Sequence, residues 1–282
     1  MPRSTDASLA ELLELIDGEL ARAVQLRHRL HEQPELAHQE QRTAAIVAEA
    51  LPVACAAVGG TGLLARVGPD AGRSLAIRAE LDGLPIHEHT NAPFSAGGDT
   101  MHACGHDVHM AALVATVRAA HALGDALPAP LLAIFQPSEE AFPSGAEQLA
   151  RDPQLTEHPP AAVLAAHVHP DLPWGAVALD AGAVNASSDS VEIVVEGEPS
   201  HAAYPHRGRD PVLAIAQIVV TLHALASRRI DPLGPTVLNV GVLEGGGAEN
   251  VIPARARARA TVRALRPQDR AAMRELVVQV VE

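Results

Sequence analysis

The feature that most limits how this chain can fold is a series of short apolar segments between turn signals, interleaved with helical stretches. "TGLLARV" (61–67), "SLAIRAEL" (74–81), "LLAIFQ" (131–136), "AVLAAHV" (162–168) and "GAVALDAG" (175–182) have the length and composition of strands. Helical periodicity marks 7–30, where Leu9, Leu12, Leu13, Ile16 and Leu20 recur with acids between them, and also 41–51, 107–123 and 144–151. Such alternation predicts an α/β fold, a sheet covered by helices with its site beyond the carboxyl ends of the strands. "AELD", "FQPSEE" and "AAHVHP" each place acids or His just after an apolar run, where that rule puts a site.

After about residue 185 the pattern changes. "SVEIVVEG" reads as a strand, "DPVLAIAQIVVTLHALASRR" as a helix, "TVLNVGVLEGG" and "RARARATVRAL" as strands, and "PQDRAAMRELVVQVVE" as a final helix. This β-α-β-β-α order is a ferredoxin-like motif without its last strand. The expected division is a metal-binding domain over 1–184 and a smaller α+β domain over 185–282. The sequence reads as cut short at Glu282, with no following strand.

With only 2% aromatic residues, the core must be built from Ala, Val, Leu and Ile. The formal net charge of −13 argues against a nucleic-acid partner, which requires a basic face. All 21 basic residues are Arg. The N-terminus lacks a charged region followed by an apolar stretch, and no run of 18 apolar residues marks a membrane span. A cytoplasmic protein with Cys55 and Cys104 as reduced thiols is expected, and there Cys near His points to a metal or a nucleophile.

"MHACGHDVH" (101–109) concentrates His102, Cys104, His106, Asp107 and His109. In a chain with 15 His it could be a polar loop or half of a metal site. Cys, His and carboxylate are the protein ligands of zinc and similar ions, and Gly105 permits the irregular backbone that aims Cys104 and His106 at one locus. Glu139 and Glu140 sit together at a strand end. On an extended chain they would point opposite ways, one free to ligate and the other to act as a base. The bland alternative is a solvated acidic loop. His167 follows a strand, with His169 a weaker second. Ser138 has no apparent Ser-His-Asp relay near it.

The segments "LRHRLHEQPELAHQE" (26–40), "RAELDGLPIHE" (78–88), "MHACGHDVHMA" (101–111), "FQPSEE" (135–140) and "AHVHPDLPWG" (166–175) together resemble the metal-dependent amidohydrolases related to aminoacylase and glutamate carboxypeptidase. The resemblance runs over essentially the whole chain and is strongest to the hippurate hydrolase and indole-acetyl-amino-acid hydrolase branch. It implies that Cys104, His106, Glu140 and His167 are metal ligands, with Cys104 bridging two ions of zinc or manganese. Glu139 is implied as general base and Asp82 as an acid that orients a ligand. His201, Asn250 and Arg263 match lid-domain residues that bind the substrate carboxylate and polarise the scissile carbonyl. The implied activity is hydrolysis of N-acyl amino acids or related small amides, by a homodimer formed through the lid domain.

Members of that family are usually longer. The further portion returns to the first domain and supplies one more His ligand. The competing expectation is therefore an inactive fragment that binds metal or dimerises without turnover. A closed structural zinc site fits less well, because such sites rarely place a free Glu beside a ligand Glu.

Overall fold

The structure, a computed structural model, describes residues 5–179, 181–183 and 185–282. The chain divides into two compact units, Met1–Trp174 and Gly175–Glu282. The expected boundary at 184 falls on a residue outside those described.

The first unit runs α1 (Thr5–His31), α2 (Gln41–Ala50), β1 (Ala56–Val58), β2 (Gly62–Val67), β3 (Leu75–Glu80), α3 (His106–Leu123), β4 (Leu131–Gln136), α4 (Gly145–Arg151), α5 (Pro153–Thr156) and β5 (Ala162–Ala165). Its sheet has the order β1-β2-β4-β3-β5. β3 is parallel to both β4 and β5, while β2 is antiparallel to β4, so the sheet is mixed. Five of the six residues of β4 are buried, as its central position requires.

Both faces of this sheet are covered. On one, Ala79, Ala133 and Phe135 pack with Met110, Leu113, Val114 and Val117 of α3, and with Ile46 and Val47 of α2. On the other, Ala76, Leu132 and Ile134 meet Leu149 of α4. Small side chains on β3 let α3 lie close. Phe135, fully buried, supplies volume that a nearly aromatic-free chain otherwise lacks.

Two expectations change. In α1, Leu12, Leu26 and Leu30 join the core, whereas Leu9, Leu13 and Leu20 are exposed. The helix turns inward only part of the stripe its periodicity marks, keeping Leu12 and adding Leu26 and Leu30. Residues 175–179 of the expected strand 175–182 form no strand, and Val177 and Leu179 are exposed. Alternation alone does not make a strand without a neighbouring ladder; Asp180 of that segment lies outside the described residues.

The second unit comprises β6 (Ser187–Glu196), β7 (Ser200–His201), α6 (Pro211–Arg229), β8 (Thr236–Gly245), β9 (Val251–Ile252), β10 (Arg255–Ala264) and α7 (Pro267–Val281). β6, β10 and β8 form an antiparallel sheet in that order, and β7 pairs with β9. Ile193, Ala256 and Ala258 meet Ile215 and Leu222 of α6, while Val262 meets Met273 and Leu276 of α7. The opposite face carries charge: Arg257 pairs with Glu244 at 2.5 Å and Glu192 at 3.5 Å. This is the expected architecture, a helix-covered mixed sheet followed by a ferredoxin-like α+β unit. Among the described helices α6 is long and apolar enough to cross a membrane, yet Ile215 and Leu222 are spent on the unit's own core.

Candidate metal centre

Because β3, β4 and β5 run parallel, their carboxyl ends lie on one side of the sheet. Asp82 follows β3, Glu139 and Glu140 follow β4, and His167 follows β5. α3 begins at the same end, so Cys104 and His106 enter beside them. The backbone bends sharply there: Gly105, at φ +86°, precedes the helix, and a Cβ on it would lie 2.3 Å from Val168 Cγ2. Glycine is required by conformation and by space at once.

Cys104, His106 and His167 each offer one donor atom, all within 4.8 Å of one another; His106, Glu139 and Glu140 do the same. The two groups share His106, so five residues carry donors on either side of its ring. Cys104 Sγ lies 3.3 Å from His167 Nε2. His106 donates from Nδ1 to the main-chain oxygen of Asp82 at 2.7 Å, which leaves the Nε2 lone pair facing inward. That Nε2 is buried with no hydrogen-bond partner, as is Glu140 Oε1, 3.8 Å away. Buried orphans on a nitrogen and a carboxylate that face each other are what a cation would satisfy.

The electrostatics agree. Burial, then the charges of Glu140, Glu139 and Glu80, push the Cys104 thiol up to about 12. Burial, then Glu140, raise the Glu139 carboxyl above its usual range. A site with this excess of negative charge fits a divalent cation, which would reverse both shifts. Asp82 shows the opposite balance: burial raises it, but hydrogen bonds from His106 and from the Glu140 and Glu139 amides outweigh that and lower it. Its Oδ2 accepts the Glu140 N–H at 2.8 Å. Asp82 thus touches both the His106 and the Glu140 segments, the former through its carbonyl more than its carboxylate, whose Oδ1 is 3.6 Å from Nδ1.

The geometry corrects the picture of the two glutamates. They do not point opposite ways. Glu139 Oε2 and Glu140 Oε1 lie 4.0 and 3.8 Å from the same His106 Nε2. The segment is not extended, because Ser138 adopts φ +49° and bends the chain. What distinguishes the carboxylates is exposure, 40% for Glu139 against 22% for Glu140. Ser138 also has neighbours that the sequence does not reveal: its Oγ is 2.9 Å from His38 Nδ1 and 3.2 Å from Glu40 Oε1. The order is wrong for a relay, since Glu40 bonds the serine rather than the histidine, and Ser138 is buried.

The rest of "MHACGHDVH" faces elsewhere. Asp107 accepts from Arg27 Nε at 2.7 Å and sits 2.9 Å from His31 Nδ1, tying α1 to the start of α3. His102 is buried, and burial drives its pKa down to about 4. His109, a turn after His106, lies 2.8 Å from Glu80 and 3.0 Å from the Val168 amide. Glu80, His106 and His109 also group closely enough for a metal, but both His109 nitrogens already have partners. Sequence reasoning passed over Glu80 and His109 as a pair; the available signal was the i, i+3 spacing of His106 and His109. His169 is exposed, and its Nδ1 accepts from the Asp171 amide at 3.3 Å.

In the second unit, His201 on β7 pairs with Val251, and the Ala202 amide donates to the Asn250 carbonyl at 3.0 Å, so His201 and Asn250 lie together. Arg263 sits on the other sheet, exposed on β10 opposite Ser188 and Val237.

Residues 76–270 match the model of peptidase family M20/M25/M40. The N-acetyldiaminopimelate deacetylase of Priestia megaterium is 37% identical over 268 residues, 92% of this chain and 70% of the relative. The N-acetyl-L-cysteine deacetylase of Bacillus subtilis is 37% identical over 238 residues, 81% of this chain and 56% of the relative. The crystal structure of a dinuclear metal-binding peptidase of the M20 family from Bacillus subtilis superposes with a TM-score of 0.72 at 31% identity, over 93% of this chain and 70% of that one. The family expected from the sequence motifs is therefore the right one: this chain belongs to peptidase family M20/M25/M40.

Proposed function

We propose that this chain hydrolyses the amide bond of N-acyl amino acids in a divalent-metal-dependent reaction. The observation that carries the reading is the convergence of Cys104, His106, Glu139, Glu140 and His167 at the ends of three parallel strands, with His106 Nε2 and Glu140 Oε1 left unsatisfied. The names of the two deacetylases above supply the substrate class: each acts on an N-acetylated amino acid.

Cys104, His106, Glu140 and His167 are the residues that would hold two divalent ions, zinc or manganese, with Cys104 serving as a thiolate ligand. The metal supplies Lewis acidity, which acidifies water and polarises the acyl carbonyl. Glu139, the more exposed carboxylate, takes a proton from the attacking water and returns it to the departing amine as the C–N bond breaks. Burial beside Glu140 raises its proton affinity, which suits the second half of that task. Asp82 holds the His106 ring and the Glu140 main chain in place. In the second unit, which acts as lid and dimerisation domain, His201 and Asn250 polarise the carbonyl and Arg263 takes the substrate carboxylate. A small-molecule substrate, a homodimer and a reducing cytoplasm complete the proposal.

The test is amine release from a panel of N-acyl amino acids, with added zinc or manganese, with chelator, and with Glu139→Gln as control. Metal-dependent release that the substitution abolishes supports the reading. No release from a folded, metal-loaded chain overturns it in favour of metal binding without turnover.

A further inference from the structure

His167 is the proposed ligand that follows an exposed strand, whereas Glu140 follows the buried β4 and Cys104 and His106 stand at the start of α3. It lies beyond the end of the β5 ladder, whose last pairing is Arg78 with Ala165, and all four β5 residues are exposed. A ligand on so open a stretch needs something else to aim it. The next residue provides that: the Val168 amide donates to His109 Nε2 at 3.0 Å, and the Val168 side chain sits against Gly105. His109 is itself held by its surroundings. It lies on the first turn of α3 with its side chain 5% exposed, and its Nδ1 is 2.8 Å from Glu80 Oε2. Glu80 is held in turn by Arg78, 2.5 Å from its other oxygen.

The partners fix the tautomer. An amide N–H can only donate, so His109 Nε2 must be the acceptor and the ring proton must sit on Nδ1, directed at Glu80. The chain of bonds runs from the core strand β3 through Glu80 and His109 to the Val168 main chain, immediately beside His167. The His109 and His167 rings are 4.6 Å apart between centroids.

We infer that His109 is a positioning residue: through its bond to the Val168 amide, with Glu80 setting its tautomer, it aims His167 at the metal locus. The inference rests on the metal-site reading above. His109 does not itself ligate, because neither ring nitrogen is free.

Three substitutions separate its bonds. His109→Asn keeps a donor on the Glu80 side and loses the acceptor for Val168. His109→Gln places an acceptor where Nε2 was. His109→Leu removes both. The measurement is zinc affinity of the 282-residue chain by competition with a chromophoric chelator, alongside thermal melts of the metal-free proteins and the visible spectrum of the cobalt-loaded forms. His109→Asn is expected to bind zinc about 10- to 100-fold more weakly, with metal-free stability close to wild type and a shifted cobalt spectrum, and His109→Gln to recover part of the loss. If His109→Leu proves unstable without metal, the Asn and Gln pair carries the test alone. Wild-type affinity in His109→Asn, or an equal loss in His109→Gln, overturns the inference. A wild-type chain that binds no zinc, or a Cys104→Ala variant that binds it normally, overturns the metal-site reading instead.

Discussion

At the residue scale, the proposed chemistry turns on one acid among several. Glu139 and Glu140 are adjacent in sequence and converge on the same His106 nitrogen, so geometry alone does not assign their roles. Exposure and proton affinity support the proposed division: Glu139 is the more accessible, and burial beside Glu140 raises its carboxyl. Glu139→Gln keeps the shape and removes the proposed base. Its kcat should fall by about 10²- to 10⁴-fold while zinc content measured by mass spectrometry stays at the wild-type value. Wild-type turnover in that variant would move the base elsewhere, and loss of metal would make Glu139 a ligand.

At the element scale, the positions of α1 and α3 are set by a buried ionic cluster. His31 on α1 lies between Asp107 at the start of α3 and Glu88, at 2.9 and 3.2 Å, and Arg27 also reaches Asp107. The hydrogen bond to Asp107 raises the His31 pKa; burial opposes this, and Glu88 adds to the rise. The stability that His31 contributes is therefore present below its ordinary pKa of about 6.5 and is lost as pH rises through the higher folded value. Asp107, lowered because the His31, His102 and Arg27 contributions outweigh its burial, loses its share only as pH falls through its depressed folded value. His31→Leu should destabilise the protein by about 3 kcal/mol near pH 6 and by less near pH 9. Denaturant melts at the two pH values check this, and a deficit that grows with pH would contradict it.

The same scale shows what the sequence could reveal. The segments that became β2, β3, β4, α3 and α6 were legible because each has a long apolar pattern of one period. β1, β7 and β9 are two or three residues long and exist only through their partners, so no local pattern announces them. The site residues were legible as types at strand ends. Their convergence was expected from the strand-end rule and the family resemblance and not from any local pattern, because it depends on Ser138 at φ +49° and on a Gly105–Val168 contact between distant parts of the chain. His109 was missed for a related reason: its role is visible only once the stretch after β5 lies against α3.

At the scale of the whole molecule, the first unit carries the proposed metal centre and the second carries His201, Asn250 and Arg263. α6 leaves Leu213 and Val220 at 59% and 70% exposure, one and the same helix face that a second copy could cover. The proposed homodimer should sediment at about twice the 29.4 kDa of one chain, and Val220→Glu should shift it toward that single mass. A monomer at micromolar concentration would remove the dimer from the account. The central claim, that Cys104 and its neighbours form one metal site, is tested most directly by X-ray absorption at the zinc edge of the zinc-loaded chain. The account predicts a sulfur scatterer at about 2.3 Å alongside nitrogen and oxygen, absent in Cys104→Ala. A zinc shell with no sulfur in the wild-type protein would contradict it.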